Sequence, residues 1–197
     1  MRLVAKRRIE IARATRETDI TLALDPDGPP GGSVRTGLPF FDHLLTSMAF
    51  HGRMGLTVSA KGDLEVDPHH LVEDTGLVLG QALAGLLERT GSVARFGHAV
   101  IPMDEALAEA TIDVCGRPTL YWRASFPQER AGAFDLSLLR EFFSGLSAKA
   151  AISLHVEVRR GENSHHMAEA AFKALGRALS QAYEPSGQEM SSKGQIG

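Results

Sequence analysis

The sequence contains little of what several protein classes require. Its 197 residues include a single cysteine, Cys115, so no disulfide can form within the chain. This cysteine usage is typical of a reducing compartment. The longest apolar run without a charge, residues 75–87, is too short to span a bilayer. Residues 1–10 are basic but lack the apolar stretch of a signal peptide. The sequence therefore predicts a cytoplasmic protein with no membrane partner.

Concentrated positive charge is also absent. The 21 Lys and Arg residues are scattered among 24 Asp and Glu residues, and the formal net charge at pH 7 is -3. Binding to a nucleic-acid backbone needs a basic face, so we expect no nucleic-acid partner. Hydrophobic residues make up 43% of the chain, which at this length allows a substantial core without a structural metal. A metal in this protein is therefore expected to be catalytic.

The two halves of the chain predict the same order of elements. Apolar alternation, helical periodicity and turn residues indicate strand, strand, helix, strand, helix in each half. In the first half these elements cover residues 7–14, 18–24, 39–50, 55–60 and 68–89, with an irregular loop at 25–32. In the second half they cover residues 107–114 and 119–124, a helix that follows Asp135, and residues 151–158 and 164–183.

This repetition predicts an α+β fold made of a duplicated ββαβα unit, with sheets whose helices pack on one face. Residues 1–93 would form the first half and residues 94–184 the second, followed by a C-terminal tail, residues 185–197.

Each half carries one His-His-x-x-Glu motif in the first turn of a predicted helix. The copies are His69-His70-Leu71-Val72-Glu73 and His165-His166-Met167-Ala168-Glu169. At about 3.6 residues per turn, the first His and the Glu share a helix face, whereas the second His lies about 100° around the axis. The adjacent imidazoles therefore diverge. This predicts a dinuclear metal site, or sites linked across a subunit boundary.

Two further histidines are candidates to complete the metal sites. His43 lies on the first predicted helix beside Asp42, and His155 lies on the strand that leads into the second motif. Imidazole and carboxylate ligands suit divalent first-row metals such as manganese, iron, cobalt, nickel and zinc. A single helical His is more often a surface residue, but two identical motifs at equivalent places of a repeat favour metal binding.

The ordered motifs resemble those of the imidazoleglycerol-phosphate dehydratase family over almost the whole chain. The matching stretches are RET at 16–18, LPFFDH at 38–43, DPHHLVEDTG at 67–76, RFG at 95–97, VIPMDEA at 100–106, GRP at 116–118, GENSHHMAEAAFKA at 161–174 and SSKG at 191–194. One departure is Ser47, because the family commonly has a glutamine there.

The resemblance implies a fold akin to the second domain of ribosomal protein S5. It implies a hydro-lyase of histidine biosynthesis that removes water from imidazole glycerol phosphate to give imidazole acetol phosphate. It also implies two Mn²⁺ ions per active site and a large homo-oligomer. That assembly is expected to be an octahedral 24-mer with active sites at subunit interfaces.

The resemblance also implies roles for individual residues. The metal ligands expected are His43, His69, His70, Glu73, His155, His165, His166 and Glu169. The catalytic carboxylates expected are Glu17, which would act as acid or base in a neighbouring subunit's site, with Glu73 and Glu169. Arginine offers forked donors that suit phosphate. The substrate-binding residues expected are Glu17, Arg95, Asp104, Arg117, Ser191 and Lys193.

Two other functions use the same ligand types. A dinuclear phosphatase would also bind two metals through imidazole and carboxylate groups, but it would not need Glu17 or Lys193. A metal-storage protein would bind the ions and ignore imidazole compounds.

Overall fold

The structure is a computed structural model in which residues 7–187 are described. The elements of the first half are β1 (Ile9–Ala14), β2 (Thr18–Asp25), β3 (Gly31–Arg35), α1 (Pro39–His51), β4 (Gly55–Gly62) and α2 (His69–Thr90). Those of the second half are β5 (Phe96–Met103), β6 (Ala106–Asp113), β7 (Thr119–Arg123), β8 (Arg130–Ala131), β9 (Phe134–Asp135), α3 (Leu138–Ala150), β10 (Ser153–Arg160) and α4 (Ser164–Ala182).

The two halves share one topology. Their four-stranded sheets have the orders β1-β2-β4-β3 and β5-β6-β10-β7. In each sheet the first three strands pair antiparallel, and the last strand runs parallel to its neighbour. Strands β8 and β9 form a separate hairpin in the second half. The predicted duplicated α+β fold is confirmed, and the structure adds one sheet strand to each ββαβα unit.

The added strands are β3 and β5, and both lie at sheet edges. Strand β3 begins with Gly31 and Gly32 directly after two prolines, a composition that predicted a loop. A Cβ on Gly32 would lie 1.9 Å from the Leu56 carbonyl oxygen of β4, so this close approach requires glycine. Strand β5 contains Gly97 and Pro102, which strands tolerate best at an edge. Pairing with the rest of the sheet thus outweighs weak local propensity at both edges.

The four helices lie between the two sheets and join the halves. Helix α2 packs on β1 and β2, and helix α4 packs on β5 and β6. Across the middle, α1 contacts α4 and α2 contacts α3. Aromatic rings fill this layer: Phe142 lies edge-on to Phe41 at 5.5 Å and stacks on Phe172 at 5.2 Å between centroids. Among the described residues, no helix has both the length and the apolar character needed to cross a membrane.

The α1–α4 contact depends on a glycine. A Cβ on Gly176 of α4 would lie 2.1 Å from the carbonyl oxygen of Met48 in α1. No side chain fits at that distance without moving one helix away from the other. Because α1 and α4 carry His43 and the second motif, this close approach also sets the separation of the candidate metal ligands.

We predict that Gly176→Ala destabilises the fold by about 1–3 kcal/mol through overpacking. The matched control is Gly85→Ala in α2, where the nearest atom to a Cβ is a methyl carbon of Ile9 at 3.5 Å, an ordinary contact. That control is expected to be neutral or stabilising by up to about 1 kcal/mol, because alanine favours helix. Thermal unfolding midpoints at one protein concentration measure both changes. Equal midpoints for the two variants would contradict the prediction.

Candidate metal centre

Both motifs lie at helix N-termini that polar side chains hold in place. The Asp67 carboxylate accepts from the His69 peptide N–H at 2.6 Å at the start of α2. At the start of α4, the Asn163 side chain accepts from the His165 peptide N–H at 2.9 Å. These bonds satisfy donors that a helix otherwise leaves free. Each motif therefore begins in a fixed first turn.

The second motif meets α1 and forms a three-ligand cluster. One ligand atom each from His43, His165 and Glu169 lies within 4.8 Å of the other two. Oε2 of Glu169 lies 3.1 Å from Nε2 of His43 and 3.2 Å from Nε2 of His165. The Phe40 ring packs on His165 at 4.9 Å between centroids. His43, which the sequence offered as a further candidate ligand without saying which motif it would join, therefore lies with the second motif within one chain.

The other carboxylate oxygen of Glu169 is also held. Lys173, one turn further along α4, donates to Oε1 at 2.9 Å, and Ser47 Oγ lies 3.5 Å from the same oxygen. Burial alone would raise the pKa of Glu169, but the hydrogen bonds from Lys173 and His43 outweigh it and lower the pKa to about 2. Glu169 is therefore ionised at neutral pH, and its Oε2 faces the two imidazoles.

These donors meet the requirements of a divalent ion. Ligands at about 2.1 Å on neighbouring corners of an octahedron lie about 3 Å apart, close to the two Nε2–Oε2 distances of 3.1 and 3.2 Å. Metal binding also needs a deprotonated carboxylate, which Lys173 secures for Glu169. The residues present therefore fit a divalent first-row metal.

A cavity of about 620 Å³ opens beside the cluster. This volume is within the usual range for small-molecule sites. His43, His165 and Glu169 form its polar part, and the ring of Phe40 borders it. The remaining lining residues are Gly37, Leu38, Pro39 and Pro68, together with Ala131, Gly132, Ala133 and Phe134 of the β8–β9 hairpin. The cavity thus combines metal-ligand chemistry with apolar walls that suit a flat ring.

The first motif is more exposed. His69 Nε2 lies 3.5 Å from Glu73 Oε2, and both side chains are 43% exposed. No third His, Cys, Asp or Glu within residues 7–187 joins this pair in a ligand cluster. The residue equivalent to Lys173 here is Leu77, which gives Glu73 no charged partner at that position. The first motif therefore offers two ligand side chains, His69 and Glu73, within the described chain.

The two histidines of each motif diverge as predicted. The ring planes of His69 and His70 are 89° apart, and those of His165 and His166 are 83° apart. In both pairs the centroids are 6.0 Å apart. The second histidine of each motif, His70 or His166, turns away from the first histidine and faces a carboxylate that lies outside its own helix.

Those carboxylates are Asp63 and Glu105. Nδ1 of His70 lies 3.1 Å from Oδ2 of Asp63, and Nδ1 of His166 lies 2.9 Å from Oε2 of Glu105. Each hydrogen bond raises the pKa of its histidine. The bond from His166, together with the peptide N–H groups of Asn163 and Glu162, lowers the pKa of Glu105 to about 2.

The other predicted catalytic and metal-binding residues lie outside the cluster. Glu17 is exposed in the β1–β2 turn, where its carbonyl accepts from the Asp63 peptide N–H at 3.1 Å. The hydrogen bond to Asp63 is the main cause of the raised pKa of His70, and the negative charge of Glu17 raises that pKa further. His155 lies on the outer face of β10, and its ring stacks on Tyr121 at 5.3 Å between centroids. The structure thus brings Glu17 near the first motif and leaves His155 apart.

The predicted substrate-binding residues are spread over loops. Arg95 donates to Asp113 at 2.7 Å, and its guanidinium lies over the Phe96 ring at 4.9 Å. Asp104 Oδ2 lies 3.7 Å from His166 Nε2. Arg117 is exposed in the turn before β7. Ser191 and Lys193 lie outside the described residues.

Sequence reasoning missed three functional candidates: Asp63, Glu105 and Lys173. Lys173 had a usable signal, because it lies four residues after Glu169 and shares its helix face. Glu105 and Asp63 lie in turns, where acidic residues are common for reasons of solubility alone. Only the fold shows which histidine each of them faces. Asp42, the acidic neighbour of His43 in the sequence, accepts from the Thr36 peptide N–H at 2.8 Å and from the Thr36 hydroxyl at 2.6 Å.

Comparison with known proteins decides the family. The sequence profile described as imidazoleglycerol-phosphate dehydratase matches residues 36–179. The chain belongs to the imidazoleglycerol-phosphate dehydratase family. The enzyme of that name from Gluconobacter oxydans (strain 621H) is 49% identical over 173 residues, covering 88% of this chain and 87% of its own length. The enzyme from Gluconacetobacter diazotrophicus is 48% identical over 174 residues, which are 88% of each protein.

Solved structures agree with this assignment. Imidazoleglycerol-phosphate dehydratase from Staphylococcus aureus subsp. aureus N315 superimposes with a TM-score of 0.82 at 36% identity, over 91% of this chain and 99% of that one. The Pyrococcus furiosus enzyme, in complex with (S)-C348, superimposes with a TM-score of 0.82 at 37% identity, over 93% of this chain and 99% of that one.

Family membership fixes the reaction class. Imidazoleglycerol-phosphate dehydratases are hydro-lyases that act in histidine biosynthesis, and this chain has that activity. The His and Glu cluster agrees with the metal dependence of imidazoleglycerol-phosphate dehydratases. The substrate is a small molecule.

Proposed function

We propose that this chain dehydrates imidazole glycerol phosphate at active sites that each hold two Mn²⁺ ions. The observation that carries this proposal is the cluster of His43, His165 and Glu169 beside a cavity of about 620 Å³. Divalent ions on the ring nitrogens of the substrate would favour its anionic form. The chain's own groups must then orient the substrate, move a proton and bind the phosphate.

The ligands of one ion are proposed to come from more than one subunit. Within one chain His165 and Glu169 of the second motif meet His43 of α1, whereas His69 and Glu73 of the first motif form a half-exposed pair. His70, His155 and His166 are proposed to complete the coordination shells of both ions across a subunit boundary. We therefore propose that sites form at the interfaces of a large homo-oligomer, an octahedral 24-mer.

Exposed apolar side chains near these groups support such interfaces. Val66, between Asp63 and the first motif, is 69% exposed, and Phe96 beside Arg95 is 58% exposed. Tyr121, against the His155 ring, is 45% exposed. Large apolar groups beside incomplete polar sites are typical of surfaces that associate.

Proton transfer is proposed to use Glu17. The reaction removes a carbon-bound proton and expels a hydroxyl group as water, so it requires a group that accepts and returns a proton. Glu17 is exposed, and its backbone is tied to the loop of Asp63 beside the first motif. Glu73 and Glu169 are proposed as metal ligands, either of which can assist in moving the proton.

Phosphate binding is proposed to involve Arg95 and Arg117, with Ser191 and Lys193 of the tail, residues 185–197. Asp104, close to His166, is proposed to meet polar groups of the substrate. The tail is proposed to follow two repeated halves, residues 1–93 and 94–184. A single cysteine agrees with the proposed cytoplasmic location.

Metal removal tests this function. We expect a chelator to reduce formation of imidazole acetol phosphate from imidazole glycerol phosphate to background, because the histidine and carboxylate clusters then lack their ion. Added Mn²⁺ is expected to restore the rate, with two ions per active site counted by elemental analysis. Full activity in the metal-free protein would contradict the metal proposal. Release of inorganic phosphate with no loss of water would favour the phosphatase alternative.

A further inference from the structure

We infer that Asp63 and Glu105 are positioning residues that orient His70 and His166 for metal binding. The inference rests on the proposed metal-dependent function. Asp63 belongs to the loop between β4 and α2, and Glu105 to the turn between β5 and β6. Neither residue is itself proposed as a metal ligand.

In the first half, Asp63 holds one nitrogen of the His70 ring. Nδ1 lies 3.1 Å from Oδ2 and 3.3 Å from Oδ1 of Asp63. An ionised carboxylate accepts hydrogen bonds and cannot donate them, so Nδ1 must carry the proton. The neutral ring then presents Nε2 with its lone pair, which is the form that binds a metal.

In the second half, Glu105 holds His166 in the same way. Its Oε2 lies 2.9 Å from Nδ1 of His166. Its Oε1 accepts from the peptide N–H groups of Glu162 and Asn163, at 3.0 and 2.8 Å. The carboxylate is thus fixed by the turn that precedes α4, and the ring is fixed by the carboxylate.

The two arrangements do not descend from one repeated position. Asp63 reaches its histidine from the loop preceding the histidine's own helix, seven residues away. Glu105 does so from a hairpin sixty-one residues away in sequence. Two unlike positions therefore supply the same contact to equivalent histidines. A contact required only for folding would not have to recur at both motifs with the same ring nitrogen.

The variant Glu105→Gln gives the sharpest test. The amide oxygen of glutamine can take the place of Oε1 and accept from the same two peptide N–H groups. Its NH₂ group then lies opposite Nδ1 of His166. Nδ1 must then accept, so the ring proton moves to Nε2 and blocks the nitrogen meant for the metal. Changing a group that orients a ligand typically costs about 10–100-fold in metal affinity, and we expect that loss here.

Asp63 gives a graded comparison. Asn at this position can turn its carbonyl oxygen toward Nδ1, because both Asp63 oxygens lie near it. Asp63→Asn should therefore weaken metal binding less than Asp63→Ala. Glu65→Gln and Glu162→Gln are the controls: Glu65 is an exposed acid in the loop of Asp63, and Glu162 is an exposed acid whose peptide N–H, not its side chain, contacts Glu105. Both controls are expected to bind metal as the wild type does.

The experiment titrates each metal-free protein with Mn²⁺ alone and follows free Mn²⁺ by electron paramagnetic resonance. Thermal unfolding of the metal-free proteins is measured in parallel. We expect Glu105→Gln and Asp63→Ala to weaken part of the Mn²⁺ binding about 10–100-fold, with metal-free unfolding midpoints that stay close to wild type. Wild-type affinity in both variants, or a loss that only follows a fallen midpoint, would overturn the inference. Absence of Mn²⁺ binding in the wild type would instead overturn the proposed function.

Discussion

Replacing Glu17 by glutamine is expected to lower kcat about 10²–10⁴-fold, the usual contribution of a general acid or base. Glutamine keeps the size and the hydrogen-bonding oxygen of the side chain but cannot exchange a proton. The backbone contact between Glu17 and Asp63 does not involve the side chain, so the turn is expected to keep its shape. Steady-state kinetics with imidazole glycerol phosphate measures the change, and KM is expected to vary far less than kcat.

Two further measurements separate loss of proton transfer from loss of metal. Mn²⁺ binding by Glu17→Gln is expected to match the wild type, because the side chain is not a proposed ligand. Asp19→Asn is the matched control: it removes the charge of another exposed carboxylate, two residues further along the same turn and strand. The control should keep its kcat. A Glu17→Gln enzyme with normal kcat would remove Glu17 from the mechanism and favour a reaction that needs only the metals.

The contrast between the helices and the edge strands shows how far the sequence determines this fold. Helices α2 and α4 were predicted well because their periodicity, caps and motifs are all local. Strand β3 was missed because the proline and glycine residues before Val34 predict a loop when read locally. Its conformation is set by parallel pairing with β4, more than twenty residues later. Long-range pairing of this kind leaves no local pattern to detect.

The candidate site shows the same division. The i, i+4 spacing of His165 and Glu169 predicted a shared face, and the structure confirms a 3.2 Å contact. The contribution of His43 depends on the close approach of α1 to α4 at Gly176, which no sequence pattern in α1 reveals. The role of Glu105 is harder still to predict from the sequence, because Asp104 is an acid directly beside it. Only the geometry of the hairpin places Glu105, and not Asp104, at Nδ1 of His166.

Glu169→Gln is expected to abolish the three-ligand centre. Lys173 donates to Oε1, so the amide of glutamine would place its oxygen there and its NH₂ group at the Oε2 position, facing His43 and His165. An amide nitrogen does not ligate a divalent ion, and it would donate to both imidazoles instead. Mn²⁺ affinity at this centre should fall by more than the about 10–100-fold that follows from disturbing a group that only orients a ligand.

Metal titration and activity distinguish this result from unfolding. The control Glu88→Gln changes an exposed carboxylate near the far end of α2 and is expected to retain metal and rate. In Glu169→Gln, the ion that depends on His43 and His165 should be lost while the chain stays folded, because the glutamine oxygen can keep the contact with Lys173. If Glu169→Gln keeps full Mn²⁺ stoichiometry and rate, the cluster of His43, His165 and Glu169 is not the metal centre. The metal centre would then have to lie at the first motif.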